Sequence, residues 1–362
     1  MRSYVGIGKG NARDAVEDAV KGIGNPSAII FLSSFEQLKE TAEIINEKFP
    51  GVSSIGTLGI KLANGEHSEN NLLVLGLYDD AKTECGVIKE ISLCPVASIG
   101  EINDKINKVS PGRDNTVCIE FCTNDEEKLV TTFNSCLARK GIKLAGGTAF
   151  GMPEGKKPIV AYNGKVYEDS CVYAIIKNTT GKVDVFKENI YEKRTDNYHF
   201  ASKVDTSKKA VLELDGKAPA DVYSDEIGIA KNKIIDNVIN NPMGRAVGDE
   251  VYISSMMDVD SRGVFYNYKR INKNDCIYFL SLGDYEDIER QNREKIKTLF
   301  PKISLVFSID CIYRYMLYEK ENYFDTYVRD MASLGNHIGI VSGGEQFNNQ
   351  HVNQTMVCAV FE

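Results

Sequence analysis

Between Ser308 and Arg314 the chain reads Ser308-Ile309-Asp310-Cys311-Ile312-Tyr313-Arg314, and a second polar cluster follows between Gly344 and Thr355. Arg314 offers a planar fork of donors that suits a carboxylate, and Tyr313 and Glu345 suit the opposite end of such a ligand. For Arg314 a surface or interface ion pair is the competing reading. Cys311 reads as a buried inert thiol or, with His337 or His351 as base, as the nucleophile of a cysteine hydrolase. Glu345, Asn348, Asn349, His351, Asn353, Gln354 and Thr355 lie between two apolar stretches, Ile338–Val341 and Met356–Phe361. Donors and acceptors gathered between two core strands suit a small-molecule pocket; a polar hairpin tip in water is the other reading.

The elements that must position these residues recur. From Ser27 the order is the strand SAIIFLSS, a helix, the short strand in FPGVSSIGTLG and the strand NLLVLGLY. Leu38, Ala42, Ile45 and Phe49 fall on one helical face, Ser34 and Gln37 have capping-box spacing, and Gly51 suits a left-handed cap. From Asn115 the order returns: NTVCIEFCT, a capping box at Thr123 and Glu126, a stripe of Leu129, Phe133 and Leu137, a cap at Gly141, then IKLAGGTAFG and SCVYAIIK. A third copy starts at Ser304 with SLVFSID and continues as a helix from near Arg314 to Ser333. It caps at Gly335 and passes Gly343-Gly344, where a Cβ would clash, into VNQTMVCAVF.

Each copy leaves sheet edges and an apolar helix face to be covered. The expected fold is therefore α+β: repeated strand-helix-strand-strand units forming mixed β-sheets covered by helices, a layered αββα-like sandwich with two related halves. The polar stretch Asp184–Lys209 places the division, giving domains 1–190 and 205–362. Around the copies, Asn11 caps a helix with Asp14 at its third position, AVLEL reads as a strand, and a helix spans about Pro219–Ile239. A hairpin turns at Ser261–Gly263, DCIYFLSL is a strand, and Asp284 caps a helix with Ile288, Ile296 and Leu299 inward.

Composition narrows the function. With 362 residues, 43% hydrophobic and 26% charged, the chain is an ordinary globular protein, and its net charge of -8 argues against nucleic acid, which needs a basic face. No run approaches the roughly 18 apolar residues of a spanning helix, so no membrane association and a cytoplasmic location are expected. Nine cysteines imply reduced, mostly buried thiols. Cys118 and Cys122 share a strand, about 13 Å apart, too far to ligate one metal, and His67, His199, His337 and His351 show no metal-ligand spacing. Gly6-x-Gly8-x-Gly10 lacks the third glycine at the spacing a dinucleotide loop requires.

In the order NPMG…GDEVYI, DCIYR, GGEQF, VNQT, the second half resembles the C-terminal part of the FIST family, and SAIIFLSS through SIGTLG with LAGGTAFG is similar to its N-terminal part. The resemblance implies an input domain of bacterial signal transduction that binds a small ligand such as an amino acid, and not an enzyme. It places Cys311, Arg314, Gly344, Glu345, Asn353 and Thr355 at the family's characteristic positions, with Tyr313 and Gly147 beside them. It also admits a second reading, a haem-based nitric-oxide sensor with His351 or His67 as the single proximal ligand; otherwise no cofactor or metal is expected. The Gly-Glu pair that the family carries after its first glycine turn is displaced here to Glu66. Because the sequence ends after its last strand, signalling is expected to run through a separate partner such as a chemotaxis receptor or kinase.

Overall fold

The computed structural model describes residues 1–362. The chain divides into two compact units: Met1–Lys187 with Arg293–His351 and Met356–Glu362, and Glu188–Asn292 with Val352–Thr355. The first unit holds the three copies. Copy one is β1 (Ser3–Gly8), α1 (Ala12–Ala19), β2 (Ala28–Ser33), α2 (Phe35–Lys48), β3 (Ser53–Leu58), β4 (Ile60–Ala63), β5 (Glu66–Ser68) and β6 (Leu72–Leu77). Copy two is β7 (Ala81–Lys89), α3 (Ile99–Val109), β8 (Thr116–Cys122), α4 (Glu126–Leu137), β9 (Lys143–Thr148), β10 (Val160–Tyr162), β11 (Lys165–Tyr167) and β12 (Ser170–Asn178).

Copy three opens with β13 (Val183–Asn189), and the inserted segment then builds the second unit. It contains β14 (Tyr191–Lys193), β15 (His199–Asp205), β16 (Ala210–Leu214), α5 (Pro219–Ile227), α6 (Ile234–Asn237) and β17 (Met243–Val247). The run ends with β18 (Glu250–Ile253), β19 (Met256–Val259), β20 (Phe265–Asn267) and β21 (Cys276–Leu282), and the eight strands of this unit form one sheet. Copy three resumes with α7 (Tyr285–Leu299), β22 (Leu305–Cys311), α8 (Ile312–Lys320), α9 (Phe324–Ala332), β23 (His337–Ser342), β24 (Glu345–Phe347), β25 (Gln350–Val352) and β26 (Thr355–Phe361). The division by compactness is discontinuous where the sequence division at 1–190 and 205–362 is contiguous, because the chain returns to complete its third copy after the insertion.

The three copies share one pairing scheme. In each, the central strand runs parallel to the strand after its helix and antiparallel to the copy's last strand: β2 with β3 and β6, β8 with β9 and β12, β22 with β23 and β26. The short hairpins do not stay with their own copy. β4–β5 extends the sheet of copy three through β23, β10–β11 that of copy one through β3, and β24–β25 that of copy two through β9. Hairpin exchange thus closes the three six-stranded sheets into a cycle, giving the layered α+β architecture of mixed sheets under helices.

One glycine recurs at the same register in every copy. Phe31 stands beside Gly56, Glu120 beside Gly146 and Ser308 beside Gly339. A Cβ at these glycines would sit 2.3 Å from the Phe31 ring, 2.0 Å from Glu120 Oε1 and 2.2 Å from Ser308 Oγ. The missing side chain lets each neighbour lie across the strand, under the helices. On those helices Leu38, Ala42 and Ile45, and Leu129, Phe133 and Leu137, are buried; each of these leucine, isoleucine and phenylalanine side chains contributes about 1.5–3 kcal/mol of apolar transfer energy. Glu120 is the exception in that layer. Burial pushes its carboxyl up to about 8, with Glu126 adding to the rise and the Cys171 Sγ–H that donates to its Oε2 at 3.2 Å opposing it, which favours the neutral acid at pH 7.

Several local expectations hold and others do not. Asn11 Oδ1 accepts from the Asp14 amide at 3.0 Å, Gly51 and Gly141 have φ of 82° and 66°, and Asp284 Oδ1 accepts from the Asp287 amide at 3.1 Å. Neither capping box forms. Ser34 makes no side-chain cap bond while Gln37 Nε2 donates to Gly10 O, and α4 starts instead at Asp125, with φ of 52°, while Glu126 accepts from Thr148. The helix expected from near Arg314 to Ser333 breaks at Asn322, φ 54°, and that expected over Pro219–Ile239 breaks at Gly228, φ 80°. Gly335 is not left-handed, an added Cβ at Gly343 meets nothing nearer than 3.7 Å, and Leu299 is exposed rather than inward. No helix is long and apolar enough to cross a membrane.

Candidate functional site

The apolar run of β22 carries Asp310 and Cys311 to the carboxyl end of the parallel pair β22–β23, where Cys311 takes the extended conformation of an N-cap and α8 begins. Arg314 lies in the first turn of α8 and is fully buried. Its Nε is 3.6 Å from Asp310 Oδ1, and its guanidinium carbon lies 4.9 Å from the Tyr327 ring centre and 5.1 Å from that of Tyr318. Tyr327 O–H donates to the same Asp310 oxygen at 2.7 Å. Asp310 thus fixes both the arginine and one of the rings that cover it. A buried charge pair is tolerable only with such additional bonds, because desolvating two ions costs several kcal/mol each. Tyr313, one residue earlier, is half-buried.

Cys311 looks the other way. It pairs in register with Ser342, and Ser342 and Ile309 are the side chains a Cβ on Gly147 would strike, at 3.1 and 2.8 Å. Glu345 pairs with Gly147 and so shares its face. Cys311, Ser342, Gly147 and Glu345 therefore line facing inner surfaces of two sheets, whose layer continues with the Phe121 and Phe307 rings 6.0 Å apart. Gly344 turns the chain between those sheets: its carbonyl accepts from Ser342 Oγ at 3.0 Å and from the Thr148 amide at 2.9 Å.

Asn353 and Thr355 belong to the second unit. There Asn353 Oδ1 accepts from the Ser255 amide at 3.1 Å, and Gln354, at φ 56°, donates to Val238 O and to Ser255 Oγ. Far from forming a hairpin tip in water, His351 through Thr355 are all buried. Of the haem alternatives, His67 Nδ1 is 3.3 Å from Asp325 with Phe324 edge-on to its ring, and His351 Nδ1 is 3.7 Å from Glu127. Glu66 is exposed at the start of β5. His337 cannot serve Cys311 as a base: it pairs with Val306, five residues down β22, about 16 Å away. Burial lowers His337 to about 4, and its Nε2 bonds Ser308 Oγ at 2.9 Å.

Sequence reasoning passed over Asp310, although its spacing of four from Arg314 was readable. It also passed over Tyr318 and Tyr327, which only the fold of α8 against α9 brings to the guanidinium.

Against known proteins, the FIST N domain matches residues 27–217 and the FIST C domain residues 219–348. No curated protein matches. Among solved structures, that of PurLQS from Thermotoga maritima aligns over 99% of this chain and 71% of its own at 9% identity, with a TM-score of 0.19, too low to bear on the fold. FIST domains are sensory domains of signal transduction. With both domain models matched in sequence over most of its length, the chain belongs to the FIST family.

Proposed function

We propose that this FIST protein is a non-enzymatic bacterial cytoplasmic sensor that binds a small carboxylate-bearing metabolite, an amino acid or related acid, and signals to a separate protein such as a chemotaxis receptor or kinase. One observation carries the reading: Arg314 is a fully buried guanidinium at the carboxyl end of a parallel strand pair, with the Tyr318 and Tyr327 rings, 5.5 Å apart, to one side of it and Asp310 beside Nε. A guanidinium presents its N–H edge to a carboxylate as a bidentate fork, and strand carboxyl ends are where open α/β sheets take ligands. Of the residues at the family's positions the proposal rests on Arg314; Cys311, Gly147 and Glu345 lie on the opposite, inter-sheet face of the same strand end.

A thermal-shift screen of the whole chain with amino acids, organic acids and haemin tests this. One class of carboxylate should raise the melting temperature, as binding to the native state requires. Arg314→Lys, which keeps the charge but loses the fork, should abolish that rise in a protein that still gives a native circular dichroism spectrum. No stabilisation by any carboxylate, a full response in Arg314→Lys, or an intense Soret band at one haem per chain would each overturn the proposal.

A further inference from the structure

The first turn of α4 and the hairpin that copy three lends to copy two bring together donors far apart in sequence. Ligand atoms of Glu126, Glu127 and His351 all lie within 4.8 Å of one another. Glu126 and His351 are buried and Glu127 half-buried, and Glu126 Oε1 accepts from Thr148 Oγ1 at 3.1 Å.

A fourth donor lies beside this cluster. β24 and β25 are neighbours joined by the two residues Asn348 and Asn349, which sets Gln346 directly beside His351 on one face. Gln346 Nε2 donates to Thr148 Oγ1 at 3.2 Å, so the amide ends against the hydroxyl that already bonds Glu126. Gln346 is fully buried, and its Oε1 has no partner. A buried amide oxygen left without a bond is destabilising and calls for an ion or a water.

We propose that Glu126, Glu127 and His351, with Gln346 Oε1, bind one divalent first-row cation. Two carboxylates brought this close repel each other, and a divalent ion turns that repulsion into attraction. One imidazole with oxygen donors is a set suited to zinc or manganese, where an all-oxygen cage would suit calcium or magnesium. Thr148 orients the Glu126 carboxylate as an outer partner, the support metal ligands ordinarily have. The site is independent of the Arg314 corner: it lies on the helix-covered face of copy two, built by the exchanged hairpin.

The test is equilibrium dialysis of the chelator-stripped full chain against Zn²⁺ and Mn²⁺, with metal content by mass spectrometry and affinity by titration calorimetry. One ion per chain is expected for the unaltered protein and for the control Glu43→Gln, at an exposed position of α2. Glu127→Gln, at a half-buried position where the isosteric amide fits, should weaken binding at least about 10-fold, and Thr148→Val should weaken it by about 10–100-fold. His351→Gln should abolish stoichiometric binding; if it unfolds, Glu127→Gln and Gln346→Leu decide. Absence of stoichiometric Zn²⁺ or Mn²⁺, or native affinity in a folded Glu127→Gln, overturns the proposal.

Discussion

Copies one and three follow the same backbone and bury different chemistry. Counting from the shared glycine register, Ser33, Ser34 and Gln37 occupy the places of Asp310, Cys311 and Arg314. In copy one the corner stays open: a cavity of about 230 Å³ is lined by Ser34, Glu36, Gly59, Glu69 and Phe150. In copy three a stacked, ion-paired guanidinium occupies the equivalent first turn. Deeper in the layer, copy one lays Phe31 across its glycine where copy three lays Ser308, bonded to His337. The pairing scheme tolerates either an apolar or an ionic filling, so specialisation of one copy need not disturb the frame. The facing hairpin position shows the same freedom: Lys61 and Glu345 stand opposite Ile340 and Gly147, each one residue past the shared glycine, and both are fully buried.

The strongest way to break this comparison is to truncate the same position in both copies. Arg314→Ala leaves the buried Asp310 carboxylate without its cation and should cost about 3–5 kcal/mol in urea unfolding. Gln37→Ala loses one half-exposed bond to Gly10 O, about 0.5–1.5 kcal/mol. Equal losses would mean that the guanidinium is no more embedded than the glutamine. Next comes the shared glycine. Gly56→Ala drives a methyl into the Phe31 ring and should cost about 1–3 kcal/mol, while Gly343→Ala, with ordinary contacts, should stay within about 0.5 kcal/mol. A mild Gly56→Ala would show that the register is not enforced by that ring.

The smallest effect vanishes at neutral pH. His337 is held at about 4, below its ordinary 6.5, so the stability it contributes is complete above pH 6.5 and is lost as pH falls through 4. His337→Ser installs the residue copy one has there, Ser54, and should flatten the fall in melting temperature between pH 6.5 and 4 while leaving the pH 7.5 value nearly unchanged. Glu120 has the opposite sign: raised to about 8, it costs stability as pH rises from about 4.5 to 8. An acid limb as steep in His337→Ser as in the unaltered chain would remove the histidine from the account.

The copies were legible in sequence because each rests on local signals: continuous apolar strands, a helical stripe such as Leu129, Phe133 and Leu137, and a glycine after the helix. The capping boxes were misread because Gln37 and Glu126 are drawn to partners distant in sequence, Gly10 and Thr148. Asp310 with Arg314 was open to view as an (i, i+4) pair. Glu127 with His351 was not, since no spacing rule reaches across two copies; only the exchanged hairpin joins them. Of the two readings of the polar cluster between Glu345 and Thr355, the tip in water fails from His351 onward, where every residue is buried, for the same reason: the hairpin's strand β24 is received by another copy's sheet.

Hairpin exchange also dictates an order of events during synthesis. Ile60 pairs with Val341, so β4–β5 leaves the ribosome long before the strand that receives it exists. Until then its edge is an unclaimed template of amide and carbonyl groups, the kind that recruits neighbouring chains. Assembly of this molecule should therefore be slow, dominated by contacts between chain ends, and a nascent chain stalled before residue 337 should aggregate or engage chaperones where the released full-length chain does not.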